Sequence, residues 1–168
     1  LQPALAIDSG GVAHITAFGS LGDALAVDDP ALAHVTLAPF HPTEAVGGRP
    51  RLLQDSAIVK DVDTEGQPGF ATSRHPRTAV GISSNGKRLL LVVVDGRQAG
   101  YSDGMTLREL AHLMLNLGAR DALNLDGGGS TTMVVGNRKT RSLQVVNRPS
   151  DATGERAVGD ALAVVRCK

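Results

Sequence analysis

Hydrophobic residues along this chain fall into short runs separated by glycine- and proline-rich breaks, a pattern that predicts many strands and one clear helix. Leu5-Ala6-Ile7-Asp8 and Val12-Ala13-His14-Ile15-Thr16 flank Ser9-Gly10-Gly11, which predicts a hairpin closed by a glycine turn. Residues 21–27 read as a short helix with Ser20 as its N-cap, ended by Asp28-Asp29-Pro30. Residues 34–37 read as a strand before Pro39 and Pro42, and residues 51–53 as another. Residues 61–76 are polar and punctuated by Gly66, Pro68, Gly69 and Pro76, predicting a long loop of the kind that is often functional.

The second half is more regular. Residues 78–82 and 89–94 are separated by Ser83-Ser84-Asn85-Gly86-Lys87, a strong hairpin signal. The unbroken aliphatic run at 89–94 predicts a central strand covered on both faces. Thr106-Leu107-Arg108-Glu109 has the form of a capping box, and Leu107, Leu110, Ala111, Met114 and Leu117 make one apolar stripe before Gly118. Residues 121–125, 133–135, 145–146 and 161–165 read as further strands. The expected fold is α+β: one domain over residues 1–168, with a mixed, largely antiparallel sheet packed on the helix at 106–117 and on one or two short helices.

Between the strands at 121–125 and 133–135 lies Asn124-Leu125-Asp126-Gly127-Gly128-Gly129-Ser130-Thr131-Thr132. Three successive glycines between apolar runs cost conformational entropy, which a chain tolerates where backbone must approach something closely or adopt positive φ. Successive amides in such a turn can form an anion-binding concavity. Asn124 and Asp126 are two apart and share one face of a strand, Leu123 and Leu125 the other. The stretch reads as a site for an anionic, hydroxyl-rich ligand or as a glycine-rich hairpin turn with solvated flanks.

Composition narrows the classes. With 168 residues, 17 basic and 17 acidic, the chain has no basic excess to suggest a nucleic-acid or membrane-surface partner. Phe18, Phe40, Phe70 and Tyr101 are its only aromatics, so base-stacking platforms are missing. No apolar run is long enough to span a membrane. The lone Cys167 excludes an intrachain disulfide and a cysteine-based metal site. His14, His34, His41, His75 and His112 show no ligand spacing and read as surface or edge histidines. The glycines are followed by a strand rather than a helix, which excludes a Walker loop and a dinucleotide fingerprint, and no G-x-S-x-G elbow surrounds Ser130.

Three segments, in order, resemble the phosphodiester glycosidase family. They are Arg77-Thr78-Ala79-Val80-Gly81 with Val94-Asp95-Gly96-Arg97; Thr106 to Ala111 with Asn124 to Thr132; and Asn147-Arg148-Pro149-Ser150-Asp151 with Glu155-Arg156. The resemblance runs from about Val46 to the C-terminus and is strongest over residues 76–135. It implies hydrolysis of a sugar C1–O bond whose leaving group is a phosphate monoester, in a secreted or periplasmic setting. The family usually opens with a strand bearing an Asn-Gly-Gly-Phe-Phe-like motif, which nothing here matches. An absent N-terminal segment, removed by processing or supplied by a second chain, is therefore expected, as is the alternative of a homo-oligomer.

A phosphate monoester, with a second pKa of about 6, leaves far more easily than a sugar alkoxide, so charge stabilisation of the leaving group matters more than its protonation. Arg77 is the expected phosphate clamp or a surface arginine, and the Gly127, Gly128 and Gly129 amides with the Ser130 and Thr131 hydroxyls would complete the pocket. An oxocarbenium-like transition state wants a carboxylate near C1. Asp126 and Asp95 are the leading candidates, with Asp95 also suited to cap its own turn. Glu109 is a third candidate that already has a capping role. Arg97, Asn124 and Asn147 would bind sugar hydroxyls or orient carboxylates. No cofactor is implied; a divalent cation bridging Asp126 or Asp95 to phosphate is left open. Two rivals stand beside this reading: a glycan hydrolase with no phosphate requirement, and a non-catalytic domain binding anionic glycans.

Overall fold

Short, mostly apolar runs broken by glycine and aspartate in the first part of the chain build an antiparallel sheet. In this computed structural model, which describes residues 2–21, 24–27, 42–64, 69–137 and 139–165, β1 (Gln2–Ile7) turns back into β2 (Ala13–Leu21). Asp8 organises the turn: its carboxylate accepts from the Gly10 and Val12 amides, both at 2.9 Å, and lies 2.9 Å from His14. With β3 (Ala24–Val27) and β4 (Glu44–Gly47) the order is β3-β2-β1-β4.

The second sheet contains β5 (Arg51–Gln54), β6 (Ala57–Ile58), β7 (Arg77–Ser83), β8 (Leu89–Val94) and β9 (Ala119–Asn124), in the order β6-β5-β9-β7-β8. Between β8 and β9 runs the helix α1 (Leu107–Asn116), and β10 (Val134–Gly136) with β11 (Leu143–Val145) makes a separate ribbon. The capping box forms as expected: the Glu109 amide donates to the Thr106 hydroxyl at 3.2 Å, and the Thr106 amide to the Glu109 carboxylate at 2.9 Å. Leu107, Leu110, Ala111 and Met114 are fully buried, and burial of each larger side chain contributes about 2 kcal/mol.

The strand period of two places the layers. On β7, Ala79 joins the helix-side cluster with Leu107 and Leu110, while Val80 and Ile82 face the first sheet and pack with Leu5, Ile15 and Leu123. The second sheet is thus a middle layer, and the loops at one end of β7 and β9 carry the chemistry.

Several expectations are corrected. Among the described residues every strand pairing is antiparallel, where a mixed sheet was expected. Among the described residues α1 is the only α-helix, joined by a 3-10 turn at Gly128–Ser130. Residues 24–27, read as part of a helix, pair with β2 from Phe18↔Val27 to Leu21↔Ala24, sheet pairing overriding the helical preference of alanine. The run at 89–94 is an edge strand and β7 is central. Its continuous apolarity has another cause: Leu90, Val92 and Val94 lean on the helix-side cluster and Leu89 on the other. Leu117 stands at the helix C-cap and is exposed, and residues 161–165 are exposed without strand pairing. The strand expected at 34–37 lies outside the described residues.

Candidate active site

The loop ends of β7 and β9, the β4–β5 link and the segment after Val94 border a cleft of about 410 Å³. Leu125 to Gly129 and Asn124 form one side; Gly48 and Arg49, Phe70, His75 to Arg77, Arg97 and Arg156 complete it. Among the described residues, four guanidinium groups and one carboxylate, Asp126, therefore line a cleft in a chain whose charges balance. Such segregation focuses positive potential where an anion would bind.

Arg77 is the first residue of β7 and only 2% exposed. Its Nε donates to the Met105 carbonyl at 2.8 Å, and its Nη2 to the carbonyls of Phe70 at 2.7 Å and Ser73 at 3.0 Å. The Phe70 ring lies 4.9 Å from the guanidinium carbon. Burial, with a smaller effect of Arg97, lowers its pKa to about 10. Among the described residues no carboxylate pairs with it, an unusual state for a buried charge. Arg77 is therefore first a clamp on three backbone carbonyls, and it also borders the cleft.

His75 is tied to Met105 by reciprocal backbone bonds of 3.2 and 3.0 Å. Gly104, at φ +94°, allows this crossing, since a Cβ there would run into the His75 carbonyl. The Arg97 Nε and Nη2 reach His75 Nδ1 at 3.3 and 3.2 Å. Burial first, then Arg97 and Arg77, lower the His75 pKa and hold the ring neutral. Arg97 has a φ of +57°, a backbone strain of about 1–3 kcal/mol of the kind that gathers at functional sites.

The glycine run is less of an open nest than the sequence implied. The Gly127 amide donates to Asp126 Oδ1 at 2.8 Å, and the Gly128 amide to the Pro76 carbonyl at 2.9 Å. The Ser130 and Thr131 amides close the 3-10 turn onto Gly127 and Gly128. Only the Gly129 amide in this run has no acceptor among the described residues. Gly128 has φ +63°, and a Cβ there would lie 3.1 Å from Arg97 Nη1, so its bareness lets the guanidinium sit against the turn.

Asn124 is 2% exposed. Its Nδ2 donates to the Arg49 carbonyl at 2.8 Å, whereas Oδ1 has no partner among the described residues. A buried acceptor left unpaired costs about 1–3 kcal/mol. Asp126 is exposed, with Oδ1 held by Gly127 and Oδ2 open.

Other expected site residues lie away from the cleft lining. Asp95 accepts from Asn147 Nδ2, the Arg148 amide and the Tyr101 hydroxyl, each at 3.0 Å, so it tethers the segment after β11. Asn147 is equally committed: it accepts from the Met133 amide at 2.7 Å and donates to the Thr131 carbonyl at 3.0 Å. Glu109 caps α1 and pairs with Arg74; the Thr106 amide is the main cause holding its pKa below the ordinary value. Thr131 is buried against the Thr78 hydroxyl at 3.3 Å, and Ser130 does not border the cleft. Among the described residues no three His, Cys, Asp or Glu side chains converge on one point, and with Asp95 elsewhere Asp126 is the one carboxylate lining the cleft.

Arg49, Phe70, His75 and Arg156 were not singled out from the sequence as site residues. Arg156 is locked to Asp151 by bonds of 2.8 and 3.1 Å. A usable signal was present for His75, which stands two residues before Arg77 at the end of a long polar loop.

A model of the phosphodiester glycosidase family matches residues 4–165, and the chain belongs to that family. The match begins well before Val46, where the sequence resemblance was placed. The catalytic domain of zebrafish N-acetylglucosamine-1-phosphodiester α-N-acetylglucosaminidase, solved in a form auto-inhibited by its pro-peptide, is similar over 89% of this chain and 45% of its own, at 27% identity and a TM-score of 0.61. A candidate exported protein of Burkholderia pseudomallei is 30% identical, covering 94% of this chain and 37% of its own with a TM-score of 0.56. The SPbeta prophage-derived uncharacterized protein YomE of Bacillus subtilis is 38% identical over 91 residues, 54% of this chain and 13% of that protein. The chain spans less than half the length of each.

Proposed function

We propose that this member of the phosphodiester glycosidase family hydrolyses a sugar-1-phosphodiester, breaking the C1–O bond to release free sugar and a phosphomonoester. The observation that carries the reading is the make-up of the cleft: among the described residues four guanidinium groups, of which Arg156 is paired with Asp151, stand beside a single lining carboxylate, Asp126. Arg97, Arg77 at the cleft wall and the Gly129 amide take the phosphate oxygens. Asp126 meets the positive charge that develops at C1, as nucleophile or as base for water. Water supplies oxygen to C1, the bonding pair of C1–O passes to the phosphate oxygen, and the water proton leaves through the carboxylate.

The same make-up favours phosphate over an ordinary glycan. Glycosidases acting on alkoxide leaving groups bring two carboxylates to the bond, one as acid. Here Asp95 and Glu109 are spent on backbone and side-chain donors elsewhere. A leaving group that departs as a stable anion needs no such acid. We place the activity outside the cytoplasm, as the candidate exported relative suggests; no helix among the described residues is long and apolar enough to cross a membrane.

Matched sugar 1-(methyl phosphates) and methyl glycosides test the reading. Sugar should be released from the phosphodiesters alone, and Asp126→Asn should lower kcat about 10²–10⁴-fold. Equal turnover of both substrate classes, or an unchanged variant, would refute it.

A further inference from the structure

We infer that the cleft is divided by hydrogen-bond polarity: Asn124 and Asp126 form an acceptor wall that selects the sugar by one of its donor groups, while His75 and Arg97 form a donor wall for the phosphate. The inference rests on the functional reading above and specifies how one end of that substrate is chosen.

The Asn124 amide cannot be turned around. Its Nδ2 donates to the Arg49 carbonyl at 2.8 Å, and exchanging the two ends would set one carbonyl oxygen against another. The unpartnered atom is therefore Oδ1, an acceptor, on a side chain 98% buried at the cleft margin. A phosphodiester has no proton to give it, and an anionic oxygen placed there would be repelled. Among the groups of such a substrate, a hydroxyl or amide N–H can satisfy it. Two residues on, Asp126 has one oxygen occupied by the Gly127 amide and the other open, again acceptor only.

His75 is fixed in the converse sense. Its Nδ1 faces the Arg97 donors, so that nitrogen carries the lone pair and Nε2 carries the hydrogen of the neutral ring. Arg97 is donor only and pairs with no carboxylate among the described residues. A ligand matching both walls carries an anion next to a polyol or acylamino group. A pyrophosphate or triphosphate long enough to reach both walls would put oxygen against Asn124 Oδ1 and is disfavoured.

Calorimetry separates the parts. The probes are inorganic phosphate, N-acetylglucosamine 1-phosphate, glucose 1-phosphate and their analogues lacking one hydroxyl or the acylamino group. With wild-type protein, removal of one particular donor should weaken binding about tenfold, the other removals having little effect. Asn124→Leu should abolish that discrimination while changing phosphate affinity less than about threefold. Uniform binding of all analogues to the wild type, or parallel loss of phosphate and sugar phosphate in the variant, would overturn the inference. The wild-type series needs no variant to fold. If inorganic phosphate fails to bind the wild type, the functional reading falls; the same analogue comparison with methyl glycosides then still decides the acceptor wall.

Discussion

Replacing Arg77 with methionine sets two opposing effects of comparable size against each other. The guanidinium makes three bonds to the carbonyls of Met105, Phe70 and Ser73. Charge-assisted bonds are worth about 1.5–3 kcal/mol each, so their loss removes roughly 4.5–9 kcal/mol. Burying the charge works the other way. Lowering its pKa from the ordinary arginine value to about 10 corresponds to a cost of about 3 kcal/mol at neutral pH, relieved by the substitution. The net expectation for Arg77→Met is a destabilisation of roughly 2–6 kcal/mol, measured by urea unfolding with unchanged m-value. Arg77→Lys keeps the charge but not the planar fork and should recover little of it. Because the buried cation pairs with no carboxylate among the described residues, inorganic phosphate should stabilise the wild type by mass action and the methionine variant much less. A variant within about 0.5 kcal/mol of wild type would refute the clamp, and equal stabilisation by phosphate would remove Arg77 from the anion site.

Two further changes separate structural from chemical roles. Glu109→Ala should cost about 1 kcal/mol through loss of the capping box while leaving kcat/KM within about twofold, since Glu109 stands outside the cleft. The Glu109 carboxyl is held below its ordinary 4.5 chiefly by the Thr106 amide. Its contribution to stability is present above pH 4.5 and fades as pH falls below it, so this part of the acid slope should be missing from the alanine variant's urea midpoints. Gly128→Ala forces a side chain into φ +63° and against Arg97. It should cost about 1–2 kcal/mol in unfolding and weaken phosphate binding by calorimetry.

Where a signal was local, the sequence was informative. The hairpin at 83–87 and the capping box at Thr106–Glu109 each depend on residues a few positions apart, and both appear in the structure, whereas the glycine run at Asn124–Thr131 forms a 3-10 turn rather than a hairpin. What failed depends on distant partners. Asp95 ends an apolar strand as a nucleophile or a base for water might, yet its donors include Asn147 and Arg148, some fifty residues on. His75 has no second histidine at ligand spacing, but Arg97, twenty-two residues later, fixes its tautomer. The edge position of β8 was hidden because layers on both faces give an edge strand the apolarity of a central one. Arg77 was legible as a special cation, whereas its three carbonyl partners come from the loop before it and the turn before α1.

Which bond breaks is the central claim, and isotope placement reads it directly. A sugar 1-(methyl phosphate) should be hydrolysed in ¹⁸O-labelled water and the methyl phosphate product weighed by mass spectrometry. Attack at C1, with Asp126 beside the sugar and the arginines on the leaving group, predicts methyl phosphate free of label. Label in the phosphate would mean attack at phosphorus and would contradict the account.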